Sequence, residues 1–84
     1  MSIKVVDNQA TCQRLMKMLI DKGYTPTDIK EKLHLQSVQC VYKWYATARG
    51  KGSKSMPSLD NMLILSDLLG MTINDIIVYN KVDF

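Results

Sequence analysis

Residues 23–45 read GYTPTDIKEKLHLQSVQCVYKWY, and this stretch decides the fold. Thr25 is typical of a helix N-cap, and Pro26 fills the first helical position, where a missing N–H costs nothing. Asp28 completes a pair that resembles a capping box. The pattern therefore predicts a short helix that begins at Pro26 and places Ile29 on its buried side.

A further helix is predicted only a few residues later, over about residues 37–47. Gln36 or Ser37 is expected to cap it, and Val41 and Trp44 are expected at its inward positions. A connection this short makes two short helices cross at a steep angle and share one core. The sequence therefore predicts a helix-turn-helix unit.

Three more helices are predicted from apolar spacing and caps. One precedes the unit, one is capped by Ser58 or its neighbour and ends at Gly70, and a short last one begins at a capping box of Thr72 and Asp75. The residues expected to face the core in these helices are Cys12, Leu15, Met16, Leu19, Ile20, Leu59, Met62, Leu63, Ser66, Leu69, Ile73, Ile76 and Ile77. The predicted fold class is all-α, a five-helix bundle.

The two ends of the chain are β-prone. IKVVD at residues 3–7 and VYNKVDF at residues 78–84 either pair as a small ribbon or form the seam of a dimer. With 84 residues the chain is expected to form one domain, 1–84. A glycine- and serine-rich basic loop over about residues 48–56 is expected to be flexible at its middle.

Composition excludes several classes of protein. A hydrophobic content of 46% with 23% charged residues is ordinary for a globular domain, and neither a membrane span nor a secretory signal is evident, which predicts a cytoplasmic protein. Cys12 and Cys40 are expected to be buried free thiols. His34 has no second ligand at helical spacing, so no metal site is expected. We expect that the protein is not an enzyme and that it binds neither a cofactor nor a small-molecule substrate.

Charge is unevenly distributed along the chain. The net charge is +3, and residues 32–58 contain five cations and no Asp or Glu. Such segregation concentrates an anionic partner on one side of a molecule, as nucleic-acid-binding proteins do. A solvated loop that happens to be basic remains an equally good interpretation of the charge alone.

The segments KGYTPTDIKEKLHL, VYKW and PSLDNMLILSDLLGMTINDIIV resemble the Cro/repressor-type (XRE-like) helix-turn-helix domains of bacteria, phages and mobile elements. The resemblance covers about residues 12–78. It departs from the family where Lys30 replaces a small residue, where His34 replaces a favoured Gly, and where the loop at 44–57 is longer. It implies a transcriptional regulator that binds double-stranded DNA in a sequence-specific way.

The resemblance also implies which residues contact DNA. A recognition helix reads bases in the major groove, where Gln39 suits adenine, Lys43 suits guanine or a phosphate, and Val38 suits a thymine methyl group. The expected base contacts are Ser37, Val38, Gln39, Tyr42 and Lys43. The expected phosphate contacts are Thr25, Thr27, Gln36, Arg49, Lys51 and Lys54.

Partners follow from the same resemblance. One recognition helix reads few base pairs, so members of this class usually bind as homodimers. The expected dimer interface is Ile76, Val78, Tyr79 and Phe84. The alternative is a protein-interaction module, an antitoxin or an anti-repressor, that keeps the fold and masks a regulatory protein partner with its apolar tail.

Overall fold

The computed structural model describes residues 2–51 and 54–83, and within them the chain forms five helices and two strands. In chain order the elements are β1 (Ser2–Val6), α1 (Asn8–Asp21), α2 (Pro26–Lys32), α3 (Gln39–Ala48), α4 (Leu59–Leu69), α5 (Ile73–Ile76) and β2 (Tyr79–Asp83). The fold is mostly helical, as predicted. In the described part of the chain, no helix combines the length and apolarity needed to cross a bilayer.

One hydrophobic core holds the helices together. Helix α1 packs against α3 and α5, α2 packs against α3, and α4 packs against α5. Two polar side chains of α1 extend these contacts: Gln13 Nε2 donates to the carbonyl of Ala48 at 2.9 Å, and Arg14 Nη1 donates to that of Asp75 at 3.2 Å. Buried hydrophobic residues are Cys12, Leu15, Leu19, Ile29, Leu33, Val41, Trp44, Tyr45, Ala48, Met62, Leu65, Leu69 and Ile76.

Several helix ends were predicted correctly from local sequence signals. Ser58 is the N-cap of α4, and its hydroxyl accepts from the backbone N–H of Asn61. Gly70 ends α4 with a φ of 68°, the left-handed conformation that glycine adopts at little cost. At α5, the Asp75 carboxylate accepts from both the N–H and the hydroxyl of Thr72. These predictions are confirmed because each depends on only a few neighbouring residues.

Several residues expected in the core are exposed instead. Ile20 near the end of α1 is 56% exposed, whereas Thr11 at its start is fully buried. In α4, Leu59 is 70% and Leu63 is 51% exposed, and Leu65 takes the inward position. The run MLILSDLL is apolar at almost every position, so its periodicity does not fix which side faces the core. The contacts of α4 with the rest of the molecule therefore determine which of its sides is buried.

The ends of the chain form an antiparallel ribbon. Strands β1 and β2 pair in the register Ser2 with Asp83, Ile3 with Val82, Lys4 with Lys81, Val5 with Asn80 and Val6 with Tyr79. This confirms the ribbon alternative for the β-prone ends. Both strands are exposed along their whole length, so the ribbon projects from the helical core.

Candidate nucleic-acid interface

The start of α2 is a complete capping box. Thr25 Oγ1 accepts from the Asp28 N–H at 3.1 Å, and the Asp28 carboxylate accepts from the Thr25 N–H at 3.0 Å. Hydrogen bonds from Thr25 lower the pKa of Asp28, so this carboxylate is ionised near neutral pH. Thr25 and Thr27 are both exposed.

The turn between α2 and α3 spans residues 33–38. His34 has a φ of 55° and ends α2, because its N–H donates to the carbonyl of Glu31 and the N–H of Leu35 donates to that of Lys30. These two bonds form a Schellman motif, which usually places glycine where His34 stands. Leu33 is buried and Leu35 is half-buried, so both leucines hold the turn against the core.

Helix α3 begins two residues later than the sequence predicted. It spans Gln39–Ala48, and the residues before it form an irregular lead-in. Ser37 is nevertheless a local cap, because its hydroxyl accepts from the Gln39 N–H at 3.1 Å. Ser37 and Val38 are half-buried and Gln36 is exposed. These three predicted contact residues therefore lie on the turn that leads into α3.

The two opposite sides of α3 differ in burial. Val41, Trp44, Tyr45 and Ala48 face the core, which confirms Trp44 as a core residue. Gln39, Tyr42 and Lys43, spaced i, i+3 and i+4, are exposed on the other side, and Tyr42 is 50% exposed. Three of the five predicted base-contacting residues thus share one outward face. We call this set the outer face of α3.

Cys40 lies beside that face and was predicted wrongly. It is an exposed free thiol, whereas Cys12 is buried as expected. Spacing alone did not predict this exposure, because Cys40 shares its side of α3 with the buried Trp44 and Thr47, but it lies in the first turn of the helix. Cys12 is buried in the core, and burial raises the pKa of its thiol to about 11.

All five cations between residues 32 and 58 are exposed. Lys43 belongs to the outer face of α3, Arg49 is the C-cap of the same helix, and Lys51 and Lys54 belong to the loop that follows. Lys32 is at the end of α2. This stretch contains no carboxylate of its own, although Asp28 lies one turn before Lys32 in α2 and interacts with it electrostatically.

The basic loop is anchored where it returns to the core. The Ser55 carbonyl accepts from Thr47 Oγ1 at 2.8 Å and from the Cys12 thiol at 3.6 Å, which joins it to both α3 and α1. Pro57 beyond it is buried. The predicted flexible middle of the loop includes Gly52 and Ser53, which lie outside the described residues.

The sequence did not point to the start of α1 as a neighbour of this loop. Gln9 approaches Gly50, whose φ is 71°, so closely that a Cβ added at Gly50 would lie 3.0 Å from Gln9 Nε2. An open groove of about 440 Å³ separates the two segments. Its lining is Val6, Asp7, Asn8, Gln9, Thr47, Gly50 and Lys54. The two segments are distant in sequence and come together only in the folded chain.

The predicted dimer residues have unequal access to a second copy. Ile76 is 0% exposed and belongs to the core of the protomer. Val78 is half-buried, and Tyr79 is exposed with the Lys4 ammonium 5.0 Å from the centre of its ring. Phe84 lies outside the described residues. Tyr79 in β2 and the half-buried Val78 just before it are therefore accessible to a second copy, whereas Ile76 is not.

Within residues 2–51 and 54–83, no group of three or more His, Cys, Asp or Glu side chains is placed to hold a metal ion. His34, the only histidine of the sequence, is exposed at the end of α2. No protein-family model matches this sequence, and comparison with curated proteins and with solved structures finds no match.

Proposed function

We propose that this protein is a sequence-specific transcriptional regulator of double-stranded DNA, built on a helix-turn-helix that α2 and α3 form, and similar to the Cro/repressor-type family of bacteria, phages and mobile elements. The observation that carries the proposal is the outer face of α3. Gln39, Tyr42 and Lys43 project from a helix whose other side is fixed in the core. A rigid helix with an acid-free, hydrogen-bonding outer side suits the major groove.

Each residue of this face has a role that the chemistry of base edges defines. The Gln39 amide donates and accepts at once, which matches N6 and N7 of adenine. Lys43 donates to O6 or N7 of guanine, or to a phosphate. Tyr42 offers a hydroxyl and an apolar ring for a thymine methyl group. Ser37 and Val38, half-buried just before α3, contact DNA only along their exposed edges.

Phosphate binding comes from the surroundings of α3. Thr27 and Thr25 flank the start of α2, and Gln36 lies in the turn. Arg49, Lys51 and Lys54 continue the positive charge beyond the other end of α3. Because Thr47 and Cys12 hold the Ser55 carbonyl, Lys54 is tethered next to a fixed point and tracks the backbone at lower entropic cost than a free loop residue.

A homodimer is part of the proposal because one α3 reads too few base pairs to select a site in a genome. The exposed ribbon is the proposed seam, with Val78 and Tyr79 of the predicted set contributing. Two-stranded ribbons are marginally stable alone, and pairing with a second ribbon removes exposed edges.

Selection of bound duplexes from a random pool tests the proposal. We expect one preferred, palindromic sequence and an affinity that falls steeply with added salt, as condensed counterions are released. Gln39→Ala is expected to lose roughly 1 to 3 kcal/mol and to relax the preference at one position. Lys51→Ala is expected to weaken all duplexes similarly and to lower the salt slope by about 1.

Lys22→Ala is the matched control. It removes the same charge from an exposed position after α1, outside the acid-free stretch, and should change neither affinity nor preference. If no sequence were selected, and Gln39→Ala and Lys51→Ala behaved like Lys22→Ala, the regulator proposal would fail. The antitoxin or anti-repressor alternative would then take its place.

A further inference from the structure

Helix α4 leaves an apolar side without a covering element. Leu59 is 70%, Leu63 is 51% and Ile64 is 39% exposed, although the helix lies on the core through its opposite side. Leu59 and Leu63 are four residues apart and so lie next to each other along the helix. Asp60 and Asp67 are exposed beside them. We call these five residues the outer face of α4.

The charged residues of this part of the sequence have one sign. Between residues 55 and 80 the chain contains Asp60, Asp67 and Asp75 and no Lys or Arg. This contrasts with residues 32–58, which contain five cations and no acid. A DNA backbone is repelled by such a face, because carboxylates and phosphates have the same charge. The outer face of α4 therefore suits a different partner from the outer face of α3.

Asp67 gives independent support. It lies in the last turn of α4, where no basic residue is present and where a negative charge opposes the helix macrodipole. Asp60, in the first turn, is favourable for the helix by the same argument. The position of Asp60 is thus explained by helix stability, and that of Asp67 is not. A cation supplied from outside the chain would compensate the charge of Asp67.

A second copy of this chain is a poor occupant. Three partly exposed aliphatic side chains offer a patch of a few hundred Å², below the roughly 800 Å² that each partner contributes to a stable interface. Two copies of α4 in contact would also bring four carboxylates together with no cation on either helix. A small complementary element is the better match in size and in charge.

We propose that the outer face of α4 is a docking surface for a cationic amphipathic helix of another protein, one that places aliphatic side chains on Leu59 and Leu63 and Lys or Arg beside Asp60 and Asp67. Helix recognition of this kind uses anchors spaced by one turn, which is the spacing that α4 itself presents. The two outer faces belong to different helices and differ in charge, so we expect occupation of the outer face of α4 to leave DNA binding unchanged.

A displayed library of amphipathic helices tests the proposal, with fixed Leu anchors and flanking positions randomised among Lys, Glu, Gln and Ser. Against the wild-type protein we expect enrichment of Lys at the flanks. Binding of the selected helices should fall roughly tenfold or more with Leu59→Ser/Leu63→Ser, because two apolar anchors are lost. Asp67→Asn should weaken binding and leave α4 as stable as before or more stable, which separates lost recognition from unfolding.

Ile20→Ser is the matched control, because Ile20 is an equally exposed aliphatic residue on another helix. It should leave binding of the selected helices unchanged, and none of these variants should alter DNA affinity. The proposal is overturned if the library yields no binders or enriches Glu, or if the selected helices bind Leu59→Ser/Leu63→Ser at full strength. Self-association that Leu63→Ser abolishes would also overturn it, in favour of a second copy.

Discussion

Thr11 and Val78 exchange two hydrogen bonds across 67 positions of sequence. The Thr11 hydroxyl donates to the Val78 carbonyl at 3.2 Å and accepts from the Val78 N–H at 3.0 Å. The same carbonyl accepts from the Asp7 N–H at 2.8 Å. Thr11 is fully buried, so one side chain of α1 satisfies the backbone where α5 passes into β2.

Thr11→Val should therefore destabilise the protein although it keeps the shape of the side chain. The substitution leaves the half-buried Val78 N–H without its acceptor, at a cost of about 1 kcal/mol. Urea unfolding followed by circular dichroism measures the loss. Thr11→Ser keeps the hydroxyl and removes one methyl group, and it should cost less than Thr11→Val. Equal stability of wild type and Thr11→Val would show that these bonds do not hold the ribbon to α1.

The capping box of α2 gives a pH dependence of known sign. The folded-state pKa of Asp28 is lowered, chiefly by the backbone and side-chain hydrogen bonds of Thr25, from the usual value of 3.8. Its contribution to stability is complete above that value and is lost as pH falls through the lowered pKa. Wild type should thus be more stable than Asp28→Asn near neutral pH, and the difference should shrink in acid.

Unfolding of both proteins at a series of pH values between about 6 and 2 measures that difference. All other carboxylates titrate in both proteins, so their effects cancel. A difference that stayed constant over the whole range would mean that ionised Asp28 does not stabilise the folded state.

His34 and Gly70 have the same unusual backbone conformation, with φ values of 55° and 68°. His34→Gly removes the left-handed strain of a residue with a Cβ and adds entropy to the unfolded chain, with a net stabilisation of about 0.5 kcal/mol. Gly70→Ala adds a Cβ to a residue in the left-handed conformation and should therefore destabilise the protein. A Cβ at Gly70 meets no atom within 4 Å, so its cost of about 1 kcal/mol would come from the backbone alone.

Thermal unfolding of the two variants should show shifts of opposite direction. Destabilisation by His34→Gly would indicate that the imidazole makes a contribution larger than the strain. If His34→Gly also left DNA affinity unchanged, His34 would contribute to the structure of the turn and not to DNA binding.

Local sequence signals predicted helix ends better than helix faces. The capping box at Thr25 and the termination at Gly70 each depend on a few adjacent residues, and both occur as predicted. The inward side of α4 was predicted in part, because Met62, Ser66 and Leu69 are buried as expected whereas Leu59 and Leu63 are exposed. A largely apolar helix has little preference for one inward side until its neighbours are present. Leu59 and Leu63 are exposed for this reason.

The candidate site was predictable only where it depends on residues that are close in sequence. The exposure of Gln39, Tyr42 and Lys43 follows from the spacing of the buried Val41 and Trp44. The anchoring of the loop and its closeness to the start of α1 did not follow, because both depend on contacts distant in sequence. The hydrogen bonds of Thr11 belong to that second group, since a lone threonine gives no signal of a backbone partner 67 positions away.

The loop anchor at Ser55 should control access to Cys12. The Ser55 carbonyl accepts from both the Cys12 thiol and Thr47 Oγ1, and Cys12 is only 2% exposed. Burial also raises the pKa of this thiol to about 11, so little thiolate forms near pH 8. In the native protein a maleimide or disulfide reagent should modify Cys40, which is exposed, and should leave Cys12 intact.

Cys40→Ser isolates the buried thiol for measurement. In that background Thr47→Val removes one of the two bonds to the Ser55 carbonyl and should raise the rate of Cys12 modification roughly fivefold, the effect of about 1 kcal/mol on local opening. Mass spectrometry over time gives the rate, and urea unfolding shows how far global stability has changed. If modification of Cys12 rose only in proportion to global unfolding, release of the loop would not expose the thiol. A larger increase would show that residues near Ser55 open as a unit while the helical core remains folded.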